Sequence, residues 1–193
     1  MSELTDKVRE ALNTSARYLG QNRPEDAIEV LEPLHKNAAH IPDVAINLGG
    51  AYILLRKWNK AVRVLEPAAQ HHTQNAMLWA NLAAAYLGRL ETAGPQQQLQ
   101  AIAAYEHVLA IDPKAPNVHY HLGLIFKERG DLANAQRYFQ GALDVNPADR
   151  DARLWLDRIN AVHAAAGADA NANANAGPAG SLDDAEGEAE DAP

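Results

Sequence analysis

Val30-Leu31-Glu32-Pro33 returns as Val64-Leu65-Glu66-Pro67, the same four residues 34 positions further on. An interval of this size marks a chain built from repeated supersecondary units, and other columns obey it. Ala27 and Ala61 are 34 apart, as are Ala101 and Ala135, Pro113 and Pro147, and the successive members of Tyr18, Tyr52 and Tyr86. Between Ala61 and Ala101, and between Tyr86 and Phe126, the interval is 40. Tyr86 and Ala101 are separated by 15 where the equivalent pairs are separated by 9, so one six-residue insertion lies within GRLETAGPQQQL, residues 88–99.

With these columns aligned, the chain resembles the tetratricopeptide repeat family, whose signature runs W-x2-L-G-x2-Y, then A-x3-F, then P. The fourth unit carries His119, Leu122, Gly123, Phe126, Ala135, Phe139 and Pro147; the third carries Trp79, Leu82, Ala83, Tyr86, Ala101, Tyr105 and Pro113. In the second, Ala45, Leu48, Gly49, Tyr52, Ala61 and Leu65 fit and the closing proline is missing. The first keeps Tyr18, Ala27 and Leu31, with Thr14 and Ser15 in the Leu-Gly slots, as suits a terminal unit with a neighbour on one side only. The resemblance covers residues 4–147 and implies an all-α fold, an α-solenoid of four helix pairs plus a C-terminal capping helix. The expected domain is 4–166, with units near 8–41, 42–75, 76–115 and 116–149 and the cap at 150–166.

The residues read the same way without the family. Leu48 and Tyr52, like Leu122 and Phe126, are four apart and share a helix face. Ala27, Ala61, Ala101 and Ala135, with Gly49 and Gly123, are small where two helices must approach closely. Gly130-Asp131 reads as a C′ glycine followed by an N-cap. First helices are predicted near 42–55, 75–92 and 116–129, and second helices near 24–36, 58–70, 96–111 and 132–144. Pro33 and Pro67 fall late in second helices, where each removes one backbone bond at about 3 kcal/mol if nothing compensates. Either the helix ends early there or its last turn kinks. The insertion is expected to lengthen both helices of the third pair, with Gly94-Pro95 as the C′-then-N1 junction and Arg89, Glu91, Gln96 and Gln97 on a polar rim. Beyond Pro147, Trp155, Ile159 and Val162 share one face of a helix that is otherwise polar, the solvating end that solenoids require.

Composition narrows the function classes. The net charge is −8, but seven acids and no base lie beyond Gly167; removing them leaves 18 acids against 17 bases, a nearly neutral body with no basic face for nucleic acid. Residues 167–193 lack the apolar side chains to offset ordering entropy and are expected to be a disordered acidic tail. No run approaches a membrane span of roughly 20 apolar residues, and the charged start MSELTDKVRE has no signal-peptide core. With zero cysteines there is no disulfide framework and no thiolate nucleophile. A cytoplasmic protein is the expectation.

Catalytic and metal motifs are absent from the sequence. His71 and His72 are adjacent and His119 and His121 two apart, neither matching the i, i+4 spacing that chelates on one helix face. His119 sits in the slot that Trp79 fills one unit earlier and reads as a packing residue. No phosphate loop or nucleophile elbow occurs, so no enzyme activity and no cofactor are expected. A column of amides is more informative. Asn13, Asn47 and Asn81 are spaced by 34, and the next member across the insertion is His121. Each lies one residue before the Leu slot, rotated about 100° from the packed face. In repeats of the family resembled, this direction faces the concave groove, where such asparagines bind the main chain of an extended peptide. An amide suits that task because it donates and accepts at once. By the same register Leu12, Ala16, Leu19, Ile46, Ile53, Leu54, Met77, Ala84, Leu87, Tyr120 and Leu124 are expected to line the groove, or to be half-buried between units. The carboxylate clamp of related cochaperones does not carry over. Its slots hold Leu12, Ala16, Asn47, Met77 and Asn81 in one frame, and Ile46, Gly50, Asn81, Asn117 and His121 in the other, with no cation in either. Chaperone C-terminal tails are therefore set aside as partners. The expected function is a non-enzymatic scaffold that binds an extended peptide or partner helix in its groove. A self-association module and a non-catalytic subunit of an enzyme complex are the alternatives.

Overall fold

The computed structural model describes residues 3–38 and 41–175. Their regular structure is entirely helical: α1 (Glu3–Gly20), α2 (Pro24–Ala38), α3 (Pro42–Leu54), α4 (Trp58–His71), α5 (Ala76–Leu87), a 3-10 turn (Leu90–Thr92), α6 (Pro95–Ile111), α7 (Val118–Glu128), α8 (Leu132–Val145) and α9 (Arg150–Asn175). Helices pair in chain order, α1 with α2 through α7 with α8, and each pair packs on the next to form an α-solenoid. α3 also packs directly on α1 and on α5, with no comparable packing among α2, α4 and α6, which puts α1, α3 and α5 on the inner side of the array.

Each pair closes at the positions that the repeat keeps small. Ala27, Ala61, Ala101 and Ala135 are fully buried. A Cβ added at Gly49 would stand 2.5 Å from Leu65 Cγ, and one at Gly123 would stand 2.7 Å from the Phe139 ring. Glycine is required there by the approach of the partner helix, not by its backbone angles. The turn within the first, second and fourth pairs is also a column. Asn22, Arg56 and Gly130 adopt φ of 55°, 55° and 76°, and the next amide in each case, of Arg23, Lys57 and Asp131, donates to the carbonyl of Tyr18, Tyr52 and Phe126 at 2.9, 2.8 and 2.9 Å. Asp131 then caps α8, its carboxylate accepting from the Asn134 amide at 3.0 Å, which is the C′-then-N-cap arrangement predicted.

The repeated tetrapeptide acquires a role at the unit boundaries. Leu31 and Leu65 are fully buried. The glutamates beside them accept hydrogen bonds from the next unit: Tyr52 Oη donates to Glu32 at 2.8 Å and Tyr86 Oη donates to Glu66 at 2.6 Å. In the third boundary the aromatic is Phe126, which has no hydroxyl. Glu106, the counterpart of Glu32 and Glu66, instead receives Tyr138 Oη at 3.0 Å, and Tyr138 lies stacked on Phe126 at 5.3 Å. The prolines end neither helix: α2 runs past Pro33 to Ala38 and α4 past Pro67 to His71. With Pro33 and Pro67 near the helix C-termini, only the last turns have to accommodate the missing donor.

Two expectations about element lengths need correction. The insertion does not lengthen both helices of the third pair. Gly88, at φ 57°, ends α5 after 12 residues, and Leu90 of the following 3-10 turn packs with Leu87 into the core beside α7. Gly94 is extended and serves as the N-cap of α6, not as a C′ residue; its amide donates to Gln97 Oε1 at 2.9 Å, and Pro95 occupies N1. Only the outer helix grows, to 17 residues against 14 for α4 and α8. The second correction is at the C-terminus. Residues 167–175, expected in a disordered tail, are the last turns of α9. Alanine is the strongest helix former, and no breaker stronger than the single Gly167 intervenes before Gly177-Pro178. The remainder of the expected tail, 176–193, lies outside the described residues.

Candidate interaction face

The inner face is carried by α1, α3 and α5, and the repeat register continues it onto α7 and the start of α9. Asn13 is exposed on α1, Asn47 half-buried on α3 and Asn81 half-buried on α5. Among the described residues no hydrogen bond holds the side chain of Asn13 or Asn81. Asn47 is different: its amide donates to Ser15 Oγ at 3.2 Å, and the buried Ser15 hydroxyl donates in turn to the Leu12 carbonyl at 2.9 Å. One donor of Asn47 therefore serves the boundary between units one and two, leaving its second N–H and its carbonyl oxygen for other partners.

His121 continues the column on α7, but in other surroundings. The residue is exposed, yet its ring face stacks on Tyr105 of α6 at 5.5 Å and 13°, with Tyr120 edge-on at 6.2 Å. Desolvation by these neighbours holds its pKa below the ordinary 6.5. The pattern extends one residue further than the sequence reading carried it. Trp155 lies 34 beyond His121 and stacks on Phe139 of α8 at 6.3 Å and 14°, the same relation that His121 has to Tyr105. The column thus changes character along the array, from amides on α1, α3 and α5 to aromatic rings on α7 and α9. The signal for Trp155 in the sequence is its interval alone, and the solvating character of α9 obscures it. The stack is also interrupted: α5 and α7 do not pack closely as α1, α3 and α5 do, and the Leu90–Thr92 turn leans on α7 instead.

Of the apolar residues expected beside the column, Ala16 is exposed and Leu19 and Ala84 are half-buried, and the others divide into two groups. Leu12, Ile46, Ile53, Leu87, Tyr120 and Leu124 are half-buried against the core clusters and belong as much to the unit boundaries as to the face. Leu54 and Met77 are exposed, at 54% and 60%. Leu154 and Val162 on α9 are exposed too, and the register places them in the columns of Leu12-Ile46-Tyr120 and of Leu54 respectively. Val162 therefore does not join Ile159 and the half-buried Trp155 in packing on α8, as the shared-face reading expected. Of the large exposed apolar side chains among the described residues, only Leu99 lies off this face.

His119 is a packing residue, as its slot implies. His119 Nε2 donates to the Pro113 carbonyl at 3.0 Å, as Trp79 Nε1 donates to the Thr73 carbonyl at 3.0 Å one unit earlier; its Nδ1 is buried with no hydrogen-bond partner among the described residues. Among the described residues no cluster of three or more His, Asp or Glu could hold a metal ion, and no helix is long and apolar enough to cross a membrane.

The architecture has relatives among solved structures. MamA from Desulfovibrio magneticus RS-1 superposes with a TM-score of 0.71 at 22% identity, covering 88% of this chain and 93% of that one. A thermophilic TPR protein in Thermus thermophilus gives 0.65 at 17% identity, covering 80% of this chain and 82% of that one. A tetratricopeptide repeat protein from Parabacteroides merdae gives 0.65 at 21% identity, covering 81% and 61%. At these identities the likeness is one of fold. Family models described as tetratricopeptide repeat match residues 18–86 and 116–149, and one described as TPR repeat matches 96–130. With the helix pairs, the small-residue contacts and these matches in agreement, the chain belongs to the tetratricopeptide repeat family.

Proposed function

We propose that this chain is a non-enzymatic scaffold that binds an extended peptide or a partner helix along its inner face. The family supports protein interaction in general. The observation that carries the finer reading is the distribution of exposed apolar surface: Leu54, Met77, Leu154 and Val162 fall on inner-face positions, beside amides that have hydrogen-bonding capacity to spare. A solvated surface has no use for such a stripe, whereas a peptide groove needs apolar contacts for side chains and amides for the main chain. Asn81 is the cleanest probe, because no bond inside the protein depends on it among the described residues.

The test is selection of binders from a displayed peptide library, followed by calorimetry of the best peptide on the wild-type chain and on Asn81→Ala. The expected loss is about 1–3 kcal/mol of binding for a hydrogen bond buried by the ligand, with folding stability changed by no more than about 0.5 kcal/mol. Undiminished affinity in Asn81→Ala, and in a Leu54→Ser/Met77→Ser variant, contradicts the reading. Light scattering over a concentration series separates it from self-association, which predicts a mass that rises with concentration.

A further inference from the structure

The helices that carry the inner face differ in charge from those behind them. α2 holds Glu25, Asp26, Glu29, Glu32 and Lys36 within its 15 residues. α3 has 13 residues and α5 has 12, and Asp43, in the first turn of α3, is the one charged side chain among them. Burial does not account for this, because Leu54 and Met77 stand exposed and Ile46, Asn47 and Asn81 are half-buried. Water-facing positions are where a protein ordinarily keeps its charge. On α1 the register puts Arg9 in the column of Asp43 and Met77, and Asp6 holds it at 3.3 Å. Glu3, Asp6 and Lys7 align with positions ahead of α3, and Glu10 and Arg17 fall in the slots of the buried Val44 and Ala51, which in the first unit face the open end of the stack. Arg56 and Lys57 come after the end of α3, and Arg89 and Glu91 after the end of α5.

Gly50 is a second, independent peculiarity of the same face. It lies inside α3, where glycine costs helix stability, yet a Cβ there would meet nothing within 4 Å. No neighbouring helix requires it, in contrast to Gly49. Its place on the helix is between Asn47 and Leu54, three and four residues away on one face. An ionised side chain brought against this surface would leave water without meeting a counter-charge, which costs more than an amide hydrogen bond returns. Packed helices stand ~8–10 Å apart, so the run from α1 to α5 spans ~20 Å, or about six extended residues at ~3.3 Å each. We infer that the partner segment bound across α1, α3 and α5 is uncharged over about six consecutive residues, its main chain passing over Gly50 and its apolar side chains resting on Leu54 and Met77. The inference rests on the reading of this face as a peptide-binding surface, and states which peptides the face takes.

The experiment uses the full chain and a displayed peptide library in which charged residues are allowed at every position. Selected binders are expected to share a run of about six uncharged residues, with Asp, Glu, Lys and Arg returning on its flanks. In the best synthetic peptide, replacing one central residue by Asp, or by Lys, is expected to weaken binding at least about tenfold in each case. Affinity of the parent peptide is expected to change less than about twofold between dilute and concentrated sodium chloride, since no ion pair is there to be screened. Gly50→Lys, for which the packing leaves room, is expected to weaken the parent peptide and to restore binding of the Asp-substituted one. Charged residues at the centre of the selected peptides, central Asp and Lys both tolerated, or an affinity that falls steeply with salt overturn the inference. Where Asn81→Ala still weakens such a peptide, the face stands and only its stated selectivity fails. Affinity indifferent to both Asn81→Ala and Leu54→Ser/Met77→Ser overturns the two readings together.

Discussion

A tyrosine hydroxyl on a glutamate carboxylate crosses each of three unit boundaries, and it is the residue-scale reason for the recurrence of the tetrapeptide within this chain. Burial and the Glu32 carboxylate push the Tyr52 pKa up to about 12. A raised folded pKa means that this contribution is fully present below the ordinary value of 10.0 and is lost as pH rises through about 12. Tyr52→Phe should therefore cost about 1 kcal/mol in urea unfolding at neutral pH and flatten the alkaline loss of stability; an unchanged midpoint and an unchanged alkaline limb would show that the bond contributes nothing. His121 works in the opposite direction. Its pKa is lowered in the fold, so it adds no penalty above 6.5, and stability falls as pH drops from 6.5 through its folded value. His121→Gln should remove that acid step, which a thermal-melt series from neutral to mildly acidic pH will detect. Arg56 sits at φ 55° where the fourth unit has Gly130. A non-glycine residue pays roughly 1–2 kcal/mol in the left-handed region, so Arg56→Gly should stabilise by about 0.5–1 kcal/mol once the added freedom of the unfolded chain is deducted.

Among elements, the helix pairs were legible in the sequence because they depend on strict sterics. Gly49 and Gly123 admit no Cβ against Leu65 and Phe139, and residues under such a constraint recur at the period. Helix ends in the third pair were not legible, because two glycines compete there. Gly88 and Gly94 can each end the helix on propensity alone; the packing of Leu90 beside Leu87 decides for Gly88, the C-cap of α5. Gly88→Ala should accordingly destabilise by on the order of 1–2 kcal/mol, since φ 57° strains any residue with a Cβ, whereas Gly94→Ala at φ −70° should be nearly neutral. Equal effects in the two variants would contradict the assignment. The length of α9 escapes the sequence for a different reason. Its last turns are held by alanine propensity, which is a weak local preference and easily outweighed in reading by the polar composition around it. Ending the chain at residue 166 should lower helical circular dichroism without moving the thermal midpoint, because turns beyond the packed residue Ile159 add little to the core.

At the scale of the whole molecule the helix pairs form a stack along which one register column changes character, from Asn13, Asn47 and Asn81 to His121 and Trp155. Period and register align these residues in one column, but do not show what each member touches. Asn47 proved to be committed in part to Ser15, and His121 to stack on Tyr105, because those contacts come from neighbouring units whose distances no spacing encodes. The same limit applied to the apolar residues: six of the expected lining side chains are shared with the core, while Leu54 and Met77 stand free. The central claim is that this inner side is where a partner peptide binds. Its most direct test is chemical-shift mapping with a library-selected peptide on the isotopically labelled chain. The side-chain amides of Asn13 and Asn81 and the methyl groups of Leu54 and Met77 are expected to shift together, with α2, α4 and α6 quiet on their outer surfaces. Shifts confined to those outer helices, with the Asn81 amide unmoved at saturation, would contradict it.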